Sequence, residues 1–260
     1  MSRSPVLPLA AALAAAALCS AAPARAEKAG LEQDWRQRAR RGERSGWLDP
    51  EHFAFEVRFG PYWPQVDEEL SGKSPYEDVF GSDARFYFGL ELDWLPARIP
   101  YVGSLGGGYG WGYTHSSAKA MISGTGEASA ADTGLTVLPM HVSAVLRGDY
   151  LLREHSVPVV PYIKLGLGWG MWTASGSDGT SKYEGVAGQG TSLGLHSAVG
   201  AALALNAFDP RTAVSLRESS GVDYAFLFGE WMGANLDGIG SKPQMHVGTS
   251  TFVLGLAIDW

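Results

Sequence analysis

The residues best suited to chemistry are His141 and Ser143, two apart in the stretch from Leu135 to Arg147, with Glu154 following in the next connection. Nucleophile, base and acid of these types are what a hydrolytic triad needs. A second group is spread through apolar stretches at alternating positions: Glu56, Arg58, Arg85, Glu91, Asp93 and Lys164. Brought onto one enclosed surface, these charges form a mutually satisfied ion-pair and hydrogen-bond network, since a buried charge without a partner is expensive. Where its pair is dry, Arg85→Ala is then expected to cost roughly 3 kcal/mol or more. His115, His155 and His246 are isolated, and no glycine-rich phosphate loop, zinc-type Cys/His spacing or calcium loop is present. The sequence therefore assigns no catalytic residues, no cofactor and no metal.

Both groups depend on elements that carry alternate side chains to opposite faces, and period-two alternation recurs along the chain. Phe53, Phe55, Val57 and Phe59 alternate with Ala54, Glu56, Arg58 and Gly60; from Ala84, Phe86, Phe88, Leu90, Leu92 and Trp94 alternate with Arg85, Tyr87, Gly89, Glu91 and Asp93. Further strands are expected at about 101–113, 135–147, 159–172, 191–207, 222–232 and 247–260. In 222–232, Tyr224, Phe226, Phe228 and Glu230 share a face, which is placed inward because Glu230 in lipid would be costly. The eight strands carry long polar connections after the first, third, fifth and seventh, and shorter ones between. Within one of the latter, Asp209 to Gly221 reads as a small helix, with Pro210 in its first turn.

Alternation alone does not say which face meets solvent. The polar face mixes Glu56, Arg58, Arg85, Glu91, Asp93, Lys164 and Asp259 with glycine and alanine, as suits a narrow barrel lumen. Trp94, Tyr113, Trp169, Trp172 and Trp260 lie near strand ends, where aromatic rings suit a headgroup girdle. Closure is obligatory in hydrocarbon, so the last strand is expected to pair with the first.

The first residues carry Arg3, an apolar run from Val6 to Leu18, and Ala24-Arg25-Ala26, the order of a cleaved secretory leader over 1–26. The single cysteine, Cys19, falls inside it. Without the leader the chain has 18 basic and 27 acidic residues, a balance that disfavours nucleic acid. Residues 27–51, with the basic run Arg36 to Arg41, read as an N-terminal periplasmic tail, and 52–260 as the barrel.

The C-terminal sequence Thr251 to Trp260 resembles the assembly signal of bacterial outer-membrane barrels, with Gly255, Ile258 and Trp260 at its characteristic places and Val253 where a polar residue is usual. That resemblance implies recognition by the barrel-assembly machinery. The stretches Phe59 to Asp67, Pro158 to Gly168 and Phe208 to Ala213 resemble a myxobacterial family of outer-membrane β-barrel proteins, within the small-barrel architecture of OmpA and OmpX. The His-x-Ser pair at 141 and 143 is similar to that of lipid A deacylases.

The expectation is an all-β protein: an eight-stranded antiparallel up-and-down transmembrane β-barrel with a short helix in one periplasmic connection. It is expected in the outer membrane of a Gram-negative bacterium as a non-enzymatic monomer with a structural or surface-interaction role. Its partners would be outer-membrane lipid and, during insertion, the assembly machinery. A small-barrel transporter of small or apolar molecules and a lipid A-modifying hydrolase are the alternatives.

Overall fold

The computed structural model describes residues 48–69, 72–121, 128–176, 179–183, 185–239 and 244–260. The expected leader, Cys19 and the basic run Arg36 to Arg41 lie outside these residues. Period-two alternation becomes a ladder of long strands: β1 (Leu48–Tyr62), β2 (Arg85–Ile99), β3 (Gly103–Met121), β4 (Ala128–Arg147), β5 (Val159–Gly176), β6 (Gln189–Ala204), β7 (Tyr224–Asn235) and β8 (Thr249–Asp259). Each pairs antiparallel with its neighbours in sequence, and β8 returns to β1 from Ala54↔Asp259 to Phe59↔Leu254. The sheet closes as an eight-stranded up-and-down barrel. At the seam, Phe53 N–H donates to the Trp260 carbonyl at 3.1 Å, Trp260 N–H donates to the Phe53 carbonyl at 3.0 Å, and the two rings stack with centroids 6.2 Å apart.

Several strands run further than the alternation predicts, β3 and β4 most of all. His115 to Asp132 reads as a loop, yet β3 and β4 stay paired from Thr114↔Val137 to Lys119↔Asp132. Where both faces of a hairpin meet water, the apolar alternation that marks a strand disappears while its backbone ladder continues. β1 similarly begins at Leu48, ahead of the expected start at His52.

Three short helices decorate the ends: α1 (Pro75–Phe80), α2 (Tyr150–His155) and α3 (Pro210–Ser220). The third is the helix expected between Asp209 and Gly221, and Gly221 adopts the left-handed conformation, φ 75°, that ends it.

Inward parity agrees with the sequence reading on every strand, including β7, where Phe226, Phe228 and Glu230 are buried. The interior is filled. Toward the termini, Val160, Tyr162, Ala202, Phe226 and Phe228 form one apolar cluster. At the opposite mouth Leu135 and Val137 pack against residues the loops supply: Tyr76 from α1, and Leu236 and Val247 from the connection after β7. Tyr76 is tied to Ser116 by a 2.6 Å bond between hydroxyls, and Tyr62 donates to the Val247 carbonyl at 2.6 Å. The connection after β7 is thus folded into the mouth as a plug. Trp172, expected in an exterior girdle, has inward parity and packs against this plug. Trp94 and Trp260 are half-exposed on the outer surface, and so is Tyr113.

Candidate functional site

Between the apolar clusters lies a layer of charge, and its position follows from strand register. Glu56 on β1 is paired in the ladder with Glu91 on β2, so both carboxyls enter the lumen at one height. Arg58 and Asp93 are each two residues along their strands and share the inward face, while Lys164 enters from β5. The facing wall is open because Gly108 and Gly110 stand on β3 where side chains would otherwise fill the lumen; a Cβ at Gly110 would collide with the His141 ring.

Arg58 and Lys164 are the hubs. The Arg58 guanidinium contacts Glu56 at 2.7 Å, Glu91 at 2.5 Å and, from its other terminal nitrogen, Glu230 at 3.2 Å. The Lys164 ammonium donates to both Glu56 oxygens at 3.0 Å, to Glu91 at 2.9 Å and to Asp93 at 3.2 Å. All six side chains are buried. His141 Nε2 lies 3.0 Å from Glu91 Oε2, and its ring stacks on His196 at 3.6 Å and 5°. Tyr162 completes the layer by donating to Glu230 at 3.0 Å.

Five of the six charges singled out from the sequence therefore meet: Glu56, Arg58, Glu91, Asp93 and Lys164. Arg85 does not. It has inward parity but sits at the start of β2, at the mouth, and its guanidinium donates to the Phe80 carbonyl at the end of α1. Parity gives the face of a residue but not its height, and height separates Arg85 from the cluster. Glu230, His141, His196 and Tyr162 were missing from that set. Glu230 carried the clearest signal, being a lone carboxylate among aromatic residues on an inward face.

Toward the termini a second polar group closes the lumen. Arg147 holds Asp259 with two 3.1 Å bonds and lies over the Phe226 ring at 5.1 Å. Beyond it, Ser104 donates to Asp149 at 2.7 Å, and Arg153 contacts both. Burial pushes the Asp149 carboxyl above its ordinary value against the opposing pull of Ser104 and Arg147.

This chemistry is structural in kind. Glu56, Glu91 and Asp93 lie close enough together to ligate one metal ion, but the Lys164 ammonium stands among their oxygens where the ion would sit. His141 is engaged by Glu91 and His196 rather than by Ser143, whose hydroxyl is buried with no hydrogen-bond partner in the structure. Glu154 is exposed on α2. The sequence triad is not assembled.

No family model matches the chain, and no curated protein resembles it in sequence. Several solved structures are similar in fold. The attachment invasion locus protein Ail of Yersinia pestis, solved with the heparin analogue sucrose octasulfate, shares 12% identity with a TM-score of 0.44, covering 82% of this chain and 100% of its own. The outer membrane protein OprG of Pseudomonas aeruginosa shares 12% at 0.45, covering 82% and 98%. The N-terminal β-barrel domain of OprF from the same organism shares 9% at 0.31, covering 80% and 97%.

Proposed function

We propose that this chain is an integral outer-membrane barrel, non-enzymatic and closed to ion flow, whose role is structural or exercised at the cell surface. The observation that carries the reading is the polarity of its two faces. Large apolar side chains are turned outward all round the barrel, among them Phe88, Leu92, Val142, Leu167 (59% exposed), Leu195, Trp231 and Leu256, while the charges are turned in. In water that arrangement would expose far more contiguous apolar surface than a soluble monomer tolerates. In a bilayer it is the required one. The Phe53–Trp260 seam, with Gly255 and Ile258 on β8, supports passage through the assembly machinery, and the three sequence stretches noted above support a place in the myxobacterial family.

The test is cell fractionation with gel electrophoresis of unheated and boiled samples. The expected outcome is a membrane-bound band whose mobility changes on boiling; a soluble periplasmic product defeats the reading. Filling of the lumen supports the closed state, because an eight-stranded barrel leaves room for side chains and little else. In planar bilayers the purified protein should show no sustained conductance.

A further inference from the structure

The outer wall is indented across β5 to β8. Register puts Leu165, Ser197, Gly233 and Ser250 side by side in one outward-facing row across β5, β6, β7 and β8. The row below is bulky: Ile163, Val199, Trp231 and Phe252. Leu167, Leu195 and Asn235 stand above it. Between the two bulky rows the small residues leave a furrow, part of a cavity of about 670 Å³.

The furrow has a direction and a polarity. Ser250 is the second residue of β8, at the loop-bearing rim, whereas Leu165 lies well inside β5, so the row descends from rim to mid-wall. Its three interstrand steps make about 14 Å. Half of a bilayer's hydrocarbon core is about 15 Å. The upper end is polar: Gln65, Asn235 and Ser250 line it, Asn235 Nδ2 donates to the Asp237 carboxylate at 3.1 Å, and the Ser250 hydroxyl accepts a 3.0 Å bond from Trp231 Nε1. Its lower end is aliphatic, at Leu165 and Leu167.

We propose that this furrow is a binding site for one acyl chain of an outer-leaflet lipid. The chain tail lies against Leu165 and Leu167, and the polar linkage of the lipid sits at Asn235, Ser250 and Gln65. No cation is among the described residues that line its upper end, and these residues suit hydroxyl, amide or ester groups. The inference rests on the membrane reading above.

Gly233 is the means of testing it. A Cβ there would meet the Ser197 hydroxyl at 3.0 Å and the Ser197 carbonyl at 3.9 Å, so a side chain can be added with little disturbance to the wall. Full-length protein folded in detergent micelles is offered lipid A, and retained lipid is counted by native mass spectrometry. Gly233→Leu fills the furrow, and Leu195→Trp roofs it without altering Gly233. Each is expected to lower lipid occupancy about tenfold. Leu92→Ile, on β2 across the barrel from the furrow, is expected to leave occupancy unchanged. Occupancy equal to wild type in both furrow variants, with the bands still heat-modifiable, overturns the furrow and leaves the membrane reading standing. A wild-type chain that stays soluble and never folds in micelles overturns both.

Discussion

At the scale of the residue, the chain's stability is concentrated where charge is driest. Arg58 is 1% exposed and faces three carboxylates, so Arg58→Ala strands Glu56, Glu91 and Glu230 with Lys164 as the one remaining full cation among them. The expected loss is about 3–5 kcal/mol, read from urea unfolding of the refolded barrel by loss of the heat-modifiable band. Arg85→Ala removes a partly buried bond to one carbonyl at the mouth and should cost about 1 kcal/mol. A deficit at Arg85 as large as that at Arg58 would mean that the two belong to one network after all. Gly110→Ala drives a methyl group into the His141 ring and, through it, the His196 stack. It should destabilise by roughly 1–3 kcal/mol in the same assay. Which charges turn inward was readable from alternation; which of them touch was not, because contact across a lumen depends on shear and height, and no local pattern encodes these.

At the scale of the element, the C-terminal strand carries closure and, as proposed, delivery. Trp260→Ala leaves the backbone bonds to Phe53 possible but removes the ring stack at the seam. The variant should refold in micelles with a loss of about 1 kcal/mol. On the proposal that Gly255, Ile258 and Trp260 form a recognition signal, its folded band in cells should fall much further. An equal drop in both settings would reduce Trp260 to a packing residue. The strands were legible wherever the outward face is apolar, and α3 was legible from Pro210 and Gly221. Two things escaped. The upper halves of β3 and β4 were read as loop because their polar residues have no apolar face to report them. The plug was missed because Leu236, Val247 and Tyr76 lie in connections, where a few apolar residues give no period.

At the scale of the whole molecule, the stack of apolar plug, charged layer and apolar base explains why one barrel can be both polar inside and shut. Removing one lumen charge should therefore weaken the fold without opening a path. Arg58→Ala is expected to remain silent in planar bilayers, and steady conductance from it would show that the charged layer alone had been the barrier. The barrel wall is also uneven. β4 has 20 residues and β3 has 19, while β7 has 12 and β8 has 11. A membrane strand needs only about 10. The tall side ends in a water-facing ladder fastened by Lys119 to Asp132 at 2.6 Å. In the proposed orientation this hairpin stands like a mast above the bilayer. Trypsin added to intact cells should meet it first and cut after Lys119, yet the two halves should still migrate as one band until boiled, because the closed ladder holds together what the chain no longer joins.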